Sequence, residues 1–360
     1  MGKTSSEKSK FETPLLIDFF QLMNLNYPLQ VFLGLTYHCN LNCKHCYSKD
    51  KRNQPDKIDT KRAKTLLKEL SSLGIFKVVF THGENLLRKD FFEILEYCNR
   101  LNLYSILISN GIILNDELVI KKIKESKLSK LFISLDSLAQ DYHDNLRGKK
   151  GSWNSAVNVL NLCSKNNLNF GMITTINNSN FRNLEKLVLF AISKKVKEID
   201  FLTIRPTNQN EKWLADQQIK DYPEIIKQIW FMKKQFKSKI LIGFHDPLSI
   251  KVLKHLVTEA ELEQVVNENE CQAGKYFASI TPEGDVYPCN FLPLKLGNIL
   301  NTSFRKIWKK SFKKREKLSL IPEKCQKCEA VFLCRGGCRA FIFHKYKNNF
   351  PERDLRCAYF

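Results

Sequence analysis

The sequence predicts an α/β fold: a parallel sheet with helices packed on it, followed by a cysteine-rich tail. Three observations predict it. Short β-branched runs alternate with amphipathic stretches over most of the chain. The runs are apolar throughout, as expected where both faces of a strand are covered. Seven of the twelve cysteines crowd into the last ninety residues.

The strand-like runs are VFLGLTY (31–37), FKVVFT (76–81), YSILIS (104–109), LFISLD (131–136), NFGMITTI (169–176) and EIDFLTI (198–204). Helical periodicity fills the intervals, at roughly 59–73, 90–101, 115–126, 152–166 and 181–194. Six such units in series imply right-handed crossovers and a sheet that is open or barrel-like. In either form, ligands gather at the carboxyl ends of the strands. A less regular stretch, 207–270, holds a further candidate strand, KILIGF (239–244). Its acidic end, TEAELEQVVNENE (258–270), reads as a linker into the tail. The tail has turn signals at 282–284 and 336–337 and little helical periodicity.

Composition narrows the class. With 43% hydrophobic residues and mixed charge, the 360-residue chain has enough apolar surface for a globular core. The first residues, MGKTSSEKSK, are polar and lack the apolar core of a secretory signal. No uncharged run reaches spanning length, which argues against a transmembrane helix and sets a cytoplasmic protein as the expectation. The net charge is +21, with the densest run at Lys309 to Lys317 (KKSFKKREK). A basic surface of this kind governs solubility and association. No nucleic-acid-binding pattern surrounds it.

Twelve cysteines without an export signal point to metal or catalysis, because disulfides are disfavoured in a reducing compartment. Cys98 and Cys163 lie on helical apolar patterns and read as core thiols. The other ten form two groups. The first is Cys39-Asn-Leu-Asn-Cys43-Lys-His-Cys46-Tyr47, directly after the first strand. Three thiolates on one short loop can converge on one metal centre. A [4Fe–4S] cluster usually takes four cysteines, so three would leave one iron free. Zinc is the competing reading, but structural zinc takes four closed ligands, and only His45 is near.

This CxxxCxxC loop followed by an aromatic residue resembles that of the radical S-adenosylmethionine superfamily. The resemblance continues along the chain. Thr81-His82-Gly83-Glu84-Asn85 is similar to the family's Gly-Gly-Glu-Pro motif, keeping Gly83 and Glu84 but placing His82 and Asn85 at the other two positions. Ser109-Asn110-Gly111, Ser134-Leu135-Asp136-Ser137 and Leu146-Arg147-Gly148 resemble later strand-end motifs, and Thr174, Thr175 and Ile204 fall where the family lines its adenine pocket. The resemblance implies a partial (β/α)6 TIM-like barrel. It implies that Cys39, Cys43 and Cys46 hold a [4Fe–4S] cluster, that Glu84 grips the methionine amine, and that Arg147 meets the methionine carboxylate. Tyr47, Gly83, Ser109, Asn110, Ser134, Asp136 and Thr175 would complete the S-adenosyl-L-methionine site.

The tail spacing, C-x12-G-x4-C, then C-x2-C-x5-C-x3-C and a last cysteine, resembles the SPASM domain of radical maturases. It implies two auxiliary clusters: one on Cys325, Cys328, Cys334 and Cys357, the other on Cys271, Cys289 and Cys338 with its fourth site unassigned. A zinc ribbon is the alternative for the CxxC pair. The organisation expected is an N-terminal segment (1–30), a radical core (31–206), a connecting region (207–270) and the auxiliary domain (271–360). The resemblance further implies reductive cleavage of S-adenosylmethionine, with flavodoxin or ferredoxin as electron donor, and oxidation of a peptide or protein substrate. Decarboxylation of a tetrapyrrole is the second reading, suggested by Cys334-Arg-Gly-Gly-Cys338-Arg-Ala. A non-catalytic iron–sulfur protein is the third, suggested by the altered HGEN loop.

Overall fold

The computed structural model describes residues 26–206, 221–346 and 352–359. Most of the expected N-terminal segment, and positions 207–220 of the connecting region, lie outside the described residues. Ten strands form one open sheet: β1 (Gln30–Gly34), β2 (Lys77–Thr81), β3 (Tyr104–Ser109), β4 (Lys130–Ser134), β5 (Phe170–Ile176), β6 (Glu198–Thr203), β7 (Leu241–Phe244), β8 (Phe277–Ile280), β9 (Asp285–Tyr287) and β10 (Gly297–Asn298). Their spatial order is β10-β9-β8-β1-β2-β3-β4-β5-β6-β7. Strands β1 to β7 run parallel in sequence order, which is the partial barrel.

The tail enters this sheet. β8 pairs in parallel with β1, setting Leu33 against Ile280, and β9 and β10 extend it as an antiparallel meander. The sheet therefore passes from the expected core into the tail without a break, and β1 lies between the two.

Helices cover one face of the barrel strands: α1 (Thr60–Ser72), α2 (Phe91–Arg100), α3 (Glu117–Glu125), α4 (Gln140–Arg147), α5 (Ser152–Lys165) and α6 (Leu184–Ser193). Alternation along each strand sends Val31 and Leu33, Val78 and Phe80, and Leu131 and Ile133 to the helical side, where they join the main core. The other parity faces inward: Val79, Ile106 and Phe132, with Phe32, Ile108 and Ile173, make a separate small apolar cluster. That concave face leads to the strand ends where the candidate site lies.

Beyond the barrel come α7 (Tyr222–Gln235), α8 (Leu248–Leu253), α9 (Glu259–Asn269), α10 (Phe304–Lys310), α11 (Phe312–Glu316), α12 (Val331–Cys334) and α13 (Arg339–Tyr346). The acidic stretch expected as a linker is instead α9. Thr258 and Glu261 close a reciprocal capping box at its start, and Val265 and Asn269 are its buried positions. The tail is also more helical than its periodicity suggested, because its helices are short. Among the described residues, no helix is long and apolar enough to cross a membrane.

Candidate functional site

The first strand ends at Gly34, and the cysteine loop follows within five residues. Two helix-terminal carbonyls fasten this loop: Asn42 N–H donates to Arg147 O (3.1 Å) and Lys44 N–H to Leu146 O (2.9 Å). The approach is close enough to require glycine at the end of α4. Gly148 has φ +68°, and a Cβ there would meet Asn42 O at 2.3 Å. Gly83 is the second such contact. Its N–H donates to Thr36 O and a Cβ would strike His38 O at 2.4 Å, so the β2 end and the cysteine loop lie backbone to backbone. Cys39, Cys43 and Cys46 are all free thiols.

Beside them stands Glu84, 1% exposed. Its Oε2 accepts from Ser109 Oγ (3.1 Å) and from Asn110 N–H (3.0 Å). Its Oε1 is buried with no partner. Burial raises this carboxyl to about 7, against the pull of its hydrogen bonds. Asn110 bridges back to the loop, its Nδ2 donating to Asn40 Oδ1 (2.8 Å) and lying 3.7 Å from Cys39 Sγ. The ends of β2 and β3 thus converge on the cysteine loop.

The ends of β4 and β5 supply a second pair. Asp136, fully buried, accepts from Arg147 Nε (2.6 Å) and from Thr175 N–H (2.9 Å). Burial pushes Asp136 up, but Arg147, His45 and His143 outweigh it and hold the carboxylate near 2. The Arg147 charge also acts on the Cys43 thiol, against the burial that raises it. Ser134 and Ile204 are buried nearby in sequence order at the ends of β4 and β6, and Thr174 Oγ1 donates to Leu135 O. His45 is half-buried beside Arg147 and Asp136, and the desolvation of its ring lowers it to about 4.

Tyr47 links this site to the tail. Its hydroxyl bonds Thr81 Oγ1 (3.0 Å) and accepts from His82 N–H (3.2 Å). Its ring meets Phe291, two residues past Cys289, edge-on at 5.2 Å.

The tail thiols fall into two neighbourhoods. Cys289, pushed up to about 12 by burial, also feels Cys271 and Cys338. Cys325 feels Cys357 and Cys328, and Cys334 feels Cys357. A buried charge network, not foreseen in the sequence, underpins both. Asp246, at the end of β7, accepts from Arg356 (2.7 Å), Arg205 (2.9 Å) and Tyr222 OH (2.6 Å). Arg356 reaches on to Asp354 (2.6 Å), which accepts the Cys338 N–H at 3.0 Å. Only the position of Asp354 and Arg356 beside Cys357 could have signalled it.

Among the described residues, no group of three or more His, Cys, Asp or Glu is drawn tightly enough around a point to hold a single metal ion. The donor chemistry suits a larger centre: three free thiols on one loop, with an orphaned carboxylate oxygen available to an ammonium.

Comparison with known proteins agrees with this chemistry. The pattern of the radical SAM superfamily matches residues 33–191, and that of SPASM, an iron–sulfur cluster-binding domain, matches 271–329. The AdoMet-dependent heme synthase of Methanosarcina barkeri is 28% identical over 348 residues, 93% of this chain and 97% of that protein. The mycofactocin maturase MftC of Mycobacterium tuberculosis is 28% identical over 342 residues, 92% of this chain and 83% of that protein. In fold, Streptococcus suis SuiB bound to S-adenosylmethionine superposes with TM-score 0.77 at 17% identity, covering 94% of this chain and 79% of SuiB. Native anSMEcpe with bound AdoMet superposes with TM-score 0.69 at 21% identity, covering 92% and 95%. With cysteines, strand order and tail all in that pattern, the chain is an enzyme of [4Fe–4S] clusters and S-adenosylmethionine that carries a radical SAM domain over residues 33–191 and a SPASM domain over 271–329.

Proposed function

We propose that this enzyme oxidatively modifies a peptide or protein, with Cys39, Cys43 and Cys46 holding the cluster that meets S-adenosylmethionine. The observation that carries the site is the buried, unpartnered Glu84 Oε1 beside the cysteine loop. Such an atom costs about 1–3 kcal/mol if left unmatched. An ammonium, as on the methionine end of S-adenosylmethionine, supplies the missing donor. Ser109 and Asn110 fix the other oxygen and so aim Oε1. Asp136 keeps Arg147 oriented over the loop, where its remaining guanidinium protons serve a carboxylate. Gly83, Ser134, Thr175 and Tyr47 shape the walls. The inward apolar cluster of Phe32, Val79, Ile106 and Phe132 keeps water from the strand ends.

When bound, the reduced cluster and S-adenosylmethionine supply a 5′-deoxyadenosyl radical that removes a hydrogen atom from substrate. The chain's part is to bind, orient and exclude water. The tail thiols would hold two further clusters, Cys325, Cys328, Cys334 and Cys357 one and Cys271, Cys289 and Cys338 the other. Held there, such clusters would offer a way out for the electron left on substrate. The domain limits proposed are 31–206 for the core, 207–270 for the connection and 271–360 for the auxiliary domain. A cytoplasmic setting, with flavodoxin or ferredoxin as donor, suits a chain whose twelve cysteines are free thiols.

A peptide substrate is supported by the likeness to a mycofactocin maturase and by a net charge of +21, which favours an acidic partner. The second reading, a tetrapyrrole decarboxylase, is favoured by the heme synthase relative matched over 97% of its length. Anaerobic incubation of the reconstituted enzyme with candidate peptides and with iron porphyrins, following 5′-deoxyadenosine and product mass, separates them. Turnover on a porphyrin and on no peptide would replace the first reading with the second.

A further inference from the structure

We infer that the outer face of α10 and α11 is the docking surface for an acidic one-electron carrier protein that exchanges electrons with the auxiliary centre at Cys271, Cys289 and Cys338. This rests on the proposal above that those thiols hold a cluster.

Three observations lead there. First, Lys306, Lys309, Lys310, Lys313 and Lys314 are exposed on these two short helices, and Lys317 is exposed directly after them. Among the described residues, no carboxylate forms an ion pair with any of them. Elsewhere on the surface lysines do find such partners, as Lys64 does with Glu93 and Lys233 with Glu268. Lys122 and Lys124 of α3 are likewise exposed without an ion pair among the described residues; what sets this face apart is density, with six lysines between 306 and 317 and Glu316 the one carboxylate among them. Second, Phe312 lies within this field and is 58% exposed. An aromatic ring inside a charged rim is the usual anatomy of a protein contact.

Third, the one arginine of α11 points the other way, toward the thiols. Arg315 lies 3.9 Å over the Trp308 ring and donates to Trp308 O (2.9 Å) and to Gly274 O (2.8 Å). Gly274 stands three residues from Cys271, and its N–H donates to the carbonyl of Pro288, the neighbour of Cys289. Leu318, just past α11, joins Leu292 and Ile342 in a small core against which Cys289 packs. The basic face is thus the outer skin of the wall that holds two of the three thiols. A carrier seated there is brought close to that centre, whereas the cysteine loop at β1 is reached by another route.

The exchange is a single electron passing between the auxiliary centre and the carrier's cofactor, with no bond made or broken. An acidic flavoprotein supplies both the charge and the redox group. Oxidised flavodoxin is the probe.

The test uses the fully reconstituted enzyme, reduced and freed of reductant. Stopped-flow absorbance follows its oxidation by flavodoxin at several salt concentrations, and calorimetry measures the affinity. The K309E/K313E variant should lower the second-order rate at least tenfold at low salt and weaken the rate's dependence on salt. Its iron content and its reduction by dithionite should match the parent, which shows that fold and clusters survive. K309Q/K313Q should fall between the two, and serves if charge reversal harms folding. K122E/K124E, an exposed basic pair on α3, controls for net charge.

An unchanged flavodoxin rate in the first variant overturns the inference. So does an equal loss in the α3 control. So does a variant that keeps flavodoxin affinity but loses affinity for an acidic peptide or for nucleic acid, since the face would then serve that partner instead. The readout is electron exchange and not substrate turnover. An enzyme that exchanges electrons normally but modifies no peptide therefore refutes the substrate proposal and leaves this one standing.

Discussion

The two cysteine regions differ in how their thiols are gathered and how the carboxylates beside them are matched. At the β1 loop, three thiols come from eight consecutive residues and the surrounding polar groups come from strand ends, with one carboxylate oxygen left unsatisfied. In the tail, seven thiols come from segments up to 86 residues apart, and the Asp246 and Asp354 carboxylates beneath them are matched by Arg205, Arg356 and Tyr222. Satisfied buried charge fixes a geometry. An unsatisfied group at a strand end waits for a ligand. Orphaned polar atoms lie beside both sets of thiols, His45 Nδ1 at the loop and Gln272 Oε1, Asn290 Oδ1 and Arg339 Nη1 in the tail, so the contrast rests on the carboxylates: Glu84 keeps one oxygen free, whereas Asp246 and Asp354 are matched by arginines.

The largest effect that would test this contrast is at the loop. C39A should abolish 5′-deoxyadenosine formation while iron on the tail thiols persists, as measured by chromatography and iron analysis. Equal loss of iron from both regions would show that they are not independent. Next comes E84Q. Losing a charge-assisted hydrogen bond costs about 1.5–3 kcal/mol, so S-adenosylmethionine affinity should weaken roughly tenfold to a hundredfold by equilibrium dialysis. Glu84 also predicts a pH profile. Its carboxyl sits near 7 in the free protein, raised by burial, and the ammonium needs the ionised form. Affinity should therefore climb as pH rises through 7 in the parent and stay flat in E84Q. The ligand-free fold should do the reverse. An unfolded glutamate ionises at ordinary carboxylate pH, so this group removes stability as pH rises from there toward 7.

How much of each region could be read beforehand follows from the same contrast. The barrel strands were legible because parallel strands buried on both faces read as apolar runs, and Tyr104–Ser109 was delimited to the residue. The loop was legible because its ligands are contiguous. α4 was not, since its buried positions are His143, Asp144, Leu146 and Arg147 and leave no apolar stripe. α9 hid behind its charge, although the Thr258–Glu261 capping box was visible in the letters. The network under the tail was illegible for a different reason. Its pairs join residues 41 and 110 positions apart, and sequence alone does not say which buried arginine meets which aspartate. The pairing of β8 with β1 is non-local in the same way.

That network carries the next prediction. D246N removes the charge that Arg205 and Arg356 share in a fully buried site. Breaking one side of a buried ion pair costs about 3–5 kcal/mol. The variant should melt earlier and release iron from the tail thiols first, with spectra of the loop cluster retained. Simultaneous loss of both would mean that the network supports the whole barrel.

The smallest effect lies at the joint between the regions. His82 has φ +78°, a conformation that costs a non-glycine residue about 1–2 kcal/mol. Its side chain spans the joint, with Nδ1 3.3 Å from Ser48 Oγ beside the loop and Nε2 3.3 Å from Ser279 Oγ on β8. It fills the space that Gly34 leaves, where a Cβ would meet the imidazole at 2.5 Å. H82G relieves the backbone but forfeits two hydrogen bonds and the packing. H82A forfeits the same contacts and keeps the strain. Melting temperature should therefore fall in the order parent, H82G, H82A, with the glycine variant within about 1–2 kcal/mol of the parent. Burial and Lys51 lower the imidazole to about 3, so it stays neutral in the fold while the unfolded chain protonates near its ordinary value. The parent should accordingly lose stability relative to H82G as pH drops from about 6.5 toward 3. If H82A proved as stable as H82G, the left-handed backbone would carry no strain, and the side chain alone would account for a histidine at that turn.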